Sequence, residues 1–188
     1  MLKLTMFTYE QAHKLLEKYI QNHNLRKHCY AVESCMRFYA RKLNQNEIDW
    51  AIVGLLHDID WELYPDTHPL SAVPILQEAG VSQEIIDAIL GHVYPSRTNV
   101  QRQSLMAKYL FACDELSGFI VAYALMKPGR LKDIHGHGVA KKLKEKAFAR
   151  NVSREDIETG LIEIGLDILT HANNLIEAMQ ADQRLEIS

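Results

Sequence analysis

Apolar residues recur at three- and four-residue spacing along almost the whole chain, and no sustained period-two alternation rich in β-branched residues competes with them. On a strand such a pattern would turn many of its apolar side chains to solvent, whereas on helices it gathers them along one face. The sequence therefore predicts an all-α, single-domain helical bundle. With 188 residues, 47% of them hydrophobic, the chain can fill one core without staples, and no repeat or low-complexity linker divides it.

Local signals place the helices. Thr8 and Gln11 have capping-box spacing, which opens a first helix running to about Asn22. Asn24 is the expected cap of a second, to about Leu43, with Leu25, His28, Cys29, Val32, Met36, Tyr39 and Leu43 on one stripe. A third spans Glu47 to His57 and breaks at Asp58-Ile59-Asp60-Trp61. A fourth is expected from Pro69 to Glu78, stopped by Gly80, with Pro74 near its middle as a potential kink. Ser82 opens a fifth, to Gly91. A long helix from about Arg102 to Leu125 would carry Met106, Leu110, Asp114, Ser117 and Val121 inward, and two more are expected over 138–149 and from Ser153 to about Gln180.

Composition narrows the function classes. The net charge of -3 gives no global attraction for nucleic acid or anionic membrane. The basic run Lys132, Lys141, Lys142, Lys144, Lys146 and Arg150 is interleaved with Asp133 and Glu145 and has no aromatic ladder. It reads as a solvated helix face before it reads as a nucleic-acid surface. The odd set Cys29, Cys35 and Cys113 suits buried thiols in a reducing compartment. The opening MLKLTMFTYEQ has no apolar signal core, and no stretch is long enough to span a bilayer, so the cytoplasm is the expected location.

Four residues interrupt this pattern. His57-Asp58 closes an apolar helix, and His28 and Asp114 each break the inward stripe of another. An ionised carboxylate in a core needs a compensating charge, and two of them beside imidazoles point to one shared cation. Imidazole and carboxylate together suit Mn²⁺, Fe²⁺, Zn²⁺ or Co²⁺ better than an all-oxygen calcium site.

The segments RKHCYAV, LLHDID, LGHVYPS and FACDELSG, in that order, carry a resemblance to the HD superfamily of metal-dependent phosphohydrolases, in particular to a small bacterial branch whose C-terminal segment is similar to KEKAFA followed by SRED. The resemblance implies a motif core over about 24–125 within one domain spanning 1–188, with a helical extension over about 130–180. It implies metal ligation by His28, His57, Asp58 and Asp114, and hydrolysis of a small phosphate ester or nucleotide by a metal-bound water that Asp58 orients. His68 and His92 stand where two-metal members place further histidines. Both a second ion held by them and bridged by Asp58, and a one-ion centre in which either imidazole protonates the leaving oxygen, fit the sequence. Two-metal cyclic-dinucleotide phosphodiesterases of the superfamily usually carry His-His where this chain has Gly91-His92, and Gly-Lys where it has Asp60-Trp61.

Arg97, following His92, is a candidate contact for a substrate phosphate, and Glu115 a candidate neighbour that orients a ligand. His13, His23 and His171 read as ordinary surface or core histidines, and His135-Gly136-His137 as a flexible loop rather than a metal site. Competing functions are a di-iron oxygenase of the same fold and a non-catalytic nucleotide-binding HD domain. Intact ligand positions favour an enzyme over the latter. Packing of exposed apolar helix faces into a homo-oligomer would be ordinary.

Overall fold

A computed structural model describes residues 7–185. Among them are nine α-helices, two short 3-10 turns and no strand: α1 Tyr9–Tyr19, α2 His23–Lys42, α3 Glu47–Leu56, α4 Ala72–Ala79, α5 Gln83–Gly91, α6 Leu105–Ala124, α7 Gly136–Leu143, α8 Arg154–Ile164 and α9 Ile168–Gln180. The bundle is built on α2 and α6. Helix α2 packs on α3, α6 and α9, and α6 also receives α5 and α8. None of the described helices is long and apolar enough to cross a membrane.

The start signals act as their chemistry requires. Thr8 and Gln11 form a reciprocal capping box, and Ser153 accepts from the Asp156 N–H to open α8. Several boundaries differ from expectation. Asn22, not Asn24, caps α2, because its Oδ1 reaches the N–H groups of Asn24 and Leu25. Helix α4 begins at Ala72 rather than Pro69, which puts Pro74 in its first turn, where a missing N–H breaks no intrahelical bond. The expected last helix is two, since Gly165 takes a left-handed conformation at φ 67° and ends α8. Helix α7 is also shorter than expected, ending at Leu143.

Helix α3 lies against α2 at very short range. A Cβ on Gly54 would stand 2.8 Å from the Glu33 Cα, so only glycine permits this approach. The consequence reaches the C-terminus of α3, where His57 is brought over the α2 side chain of His28 with ring centroids 5.1 Å apart.

The three cysteines are buried and unbridged. His171 is a satisfied core histidine. Its Nε2 donates to the Ala112 carbonyl (2.9 Å), and its Nδ1 accepts from the Tyr39 hydroxyl (2.6 Å), which itself accepts from Asn174 (3.1 Å). Burial lowers the pKa of His171 to about 4. The unfolded chain takes up this proton near 6.5 and the folded chain only near 4, so the contribution is complete at neutral pH and is lost as pH falls through that window. Urea titrations are expected to show His171 alone lowering stability by about 1.4 kcal/mol between pH 7.5 and 5.5. A pH dependence that is the same in His171→Gln would show that another group is responsible.

Candidate metal centre

Five segments converge on one end of the α2–α6 pair. His28 comes from α2, His57 caps the C-terminus of α3, and Asp58 follows it. His68 lies in the turns before α4, His92 caps α5, and Asp114 comes from the middle of α6. All of them except fully buried His57 line one cavity of ≈ 360 Å³ together with Trp61, Arg97, Glu115 and Val152.

The side chains form two groups, each with ligand atoms close enough to hold one ion: His28, His57 and Asp114 in the first, and Asp58, His68 and His92 in the second. In the first, His28 Nε2 lies 3.1 Å from His57 Nε2 and 2.9 Å from Asp114 Oδ1, with His57 Nε2 3.4 Å from the same oxygen. In the second, the Nε2 atoms of His68 and His92 are 3.1 Å apart. Asp58 stands between the groups. Its Oδ2 lies 3.5 Å from His57 Nε2 and 3.7 Å from His28 Nε2, while its Oδ1 lies 3.5 Å from His68 Nε2 and 3.9 Å from His92 Nε2.

Hydrogen bonds set the imidazole tautomers. His57 Nδ1 donates to the Gly54 carbonyl (2.8 Å), His92 Nδ1 donates to the Ile89 carbonyl, and His68 Nδ1 donates to Asp60 Oδ1 (2.7 Å). With Nδ1 donating, each ring in its neutral form presents its Nε2 lone pair to the cavity. The Nε2 atoms of His68 and His92 face each other at 3.1 Å, a separation that a proton or a cation between them makes favourable. Ligands bound at about 2.1 Å and adjacent on an octahedron sit about 3.0 Å apart, so the spacing fits a transition-metal ion.

The electrostatics favour positive charge at the same place. Burial alone would lower the pKa of His57, but the carboxylates of Asp58 and Asp114 outweigh it and raise it to about 9. Burial also acts to raise Asp114, yet His57 and His28 hold its carboxyl well below the usual range. His92 is lowered to about 4 by burial, which keeps its imidazole neutral as ligation requires. Burial and then the neighbouring Asp114 charge raise Glu115 to about 7, while its Oε2 accepts from the Ser153 N–H.

Three residues that support this end of the bundle carried no legible signal. Asp60 is fully buried, and its carboxylate orients His68, while its Oδ2 is buried without a hydrogen-bond partner. Arg102 donates to the carbonyls of Gly91 (2.9 Å) and Tyr94 (2.8 Å) and pairs with Glu163 (2.7 Å), thereby fixing the turn that bears His92. Arg154 donates to the carbonyls of Phe148, Ala149 and Val152 and so holds the cavity wall at Val152. Asp60 and Arg102 reach partners eight or more residues away, which spacing does not suggest, while Arg154 turns back onto the loop before its own helix.

Arg97 lines the cavity, but its Nη1 donates to the carbonyls of Pro65 (2.7 Å) and His68 (3.3 Å), and its guanidinium lies 5.6 Å from the Trp61 ring centroid. It braces the loop carrying His68. His135 and His137 are exposed and belong to neither ligand group. The lysines of 132–150 lie largely in solvent, with Lys142 paired to Glu145 at 2.6 Å.

Comparison with curated proteins and with solved structures finds no match. Comparison with protein families matches the HD domain over residues 25–118, half of the chain, which takes in His28, His57, Asp58, His68, His92 and Asp114. An all-helical domain with these residues gathered at one centre belongs to the HD domain family, whose members are mostly metal-dependent hydrolases.

Proposed function

We propose that the chain is a two-metal phosphohydrolase acting on a small phosphate ester, with His28, His57 and Asp114 holding one ion, His68 and His92 a second, and Asp58 shared between them. The observation that carries this reading is the division of the Asp58 carboxylate, one oxygen directed to each group of imidazoles. Divalent ions bound there would act as Lewis acids toward the phosphoryl oxygens and make hydroxide available near neutral pH.

The chain's own residues do the rest. Asp58 and Asp114 set the negative charge that retains the cations, and the Nδ1 acceptors of His57, His68 and His92 keep the imidazoles facing inward. On this assignment His68 and His92 are ligands, not proton donors to the leaving group. Trp61 and Val152 wall the cavity and limit water, and Arg97 places its cationic side chain at the rim where a phosphate would enter.

Elemental analysis of protein purified without chelator, followed by a phosphatase and phosphodiesterase panel with that metal restored, tests the proposal. Two equivalents of metal and ester hydrolysis are expected, with His92→Ala retaining one equivalent. One equivalent in the parent protein would return His68 and His92 to proton transfer. Two irons with oxygen consumption and no ester hydrolysis would make the chain an oxygenase.

A further inference from the structure

The face of α6 that brings Asp114 and Glu115 to the metal centre continues past it. Gly118 lies one turn beyond Asp114, and Val121, Ala122 and Leu125 follow Gly118 by three, four and seven residues, the spacing of a single helical face. These residues wall a second cavity of ≈ 340 Å³, bounded opposite by α2 and by Leu185. The two cavities share His28 and Gly118. Gly118 lies on both: a Cβ there would stand 3.8 Å from His28 Nδ1, so the missing side chain leaves this edge of the imidazole uncovered.

The two neighbouring cavities differ in character. In one stand carboxylates, imidazoles and Arg97. In the other stand Val121, Ala122, Leu125 and Leu185, with Asn24 and Lys27 as the polar residues on the α2 side. A sugar buried in the second compartment would leave several hydroxyls short of partners, each at a cost comparable to a lost hydrogen bond. An alkyl or other apolar group would gain from burial against α6. The outer end is open to solvent at Leu125, which is 53% exposed, so a chain longer than the compartment could emerge there.

We propose that the second cavity binds the alcohol portion of the substrate, and that the substrate is a phosphate ester of an apolar alcohol rather than a sugar phosphate. This inference rests on the phosphohydrolase reading above, and its test separates the two. Calorimetric titration of the Mn²⁺-loaded protein with n-alkylphosphonates from methyl to hexyl is expected to show affinity rising about fourfold per methylene. Ala122→Phe, which fills the compartment, and Leu125→Glu, at its exposed end, are each expected to reduce that gain to below about twofold per methylene. Methylphosphonate binding with no dependence on chain length, or an unchanged slope in both variants, would overturn the inference while leaving the metal-centre reading intact. No binding of any phosphonate to the metal-loaded protein would overturn the phosphate reading and this one with it.

Discussion

Asp58→Ala is expected to lower turnover by at least about 10³-fold and to strip metal from the protein. The reason is geometric. Among the described residues Asp58 is the one carboxylate within 4 Å of imidazoles from both groups, so its removal takes a candidate ligand from each group and leaves Asp114 as the one carboxylate in the two ligand groups. His57→Ala should share the phenotype through the first group only, because His57 Nε2 faces His28 and Asp114. Both variants keep the α2–α3 packing set by Gly54, so a native helical spectrum accompanied by metal loss is the expected pattern. Folded variants with the parent's metal content would refute the ligand assignment.

The second large effect belongs to a residue that need not touch metal or substrate. Asp60→Ala is expected to weaken binding at the His68–His92 group by about 10 to 100-fold while the first group keeps its ion. Asp60 is fully buried and accepts from His68 Nδ1 at 2.7 Å, so it holds the tautomer that offers Nε2 to the cavity. Without it the ring can rotate or carry its proton on the wrong nitrogen. Its Oδ2 is left without a partner in the interior, a cost to the fold that a role in positioning His68 accounts for. Titration of metal-free protein with Mn²⁺ should resolve the weaker second phase in the variant. Two unchanged phases would reduce Asp60 to a structural residue.

The helical class and the starts of α1, α3, α5 and α8 were legible in the chain because capping and amphipathic periodicity are local, determined by residues three or four apart. His28 and Asp114 were legible for a related reason: each is a polar interruption of an apolar stripe, and a stripe can be read from spacing alone. The division of the expected last helix at Gly165 was not, because a glycine within a periodic run is compatible with continuation or termination until its backbone conformation is known.

The sequence by itself determined an all-helical chain of the HD family and the set of imidazoles and carboxylates available to a metal. Tertiary structure alone decided how that set divides into two groups around Asp58, that Asp60 orients His68, that Arg97 braces a loop, and that His28 and Gly118 line both the candidate metal cavity and a more apolar one. The physical reason is range: helix formation is governed by neighbours in sequence, whereas a metal centre depends on side-chain directions from five segments. A shift of a few ångströms in any one of them would regroup the ligands without changing the pattern of the chain.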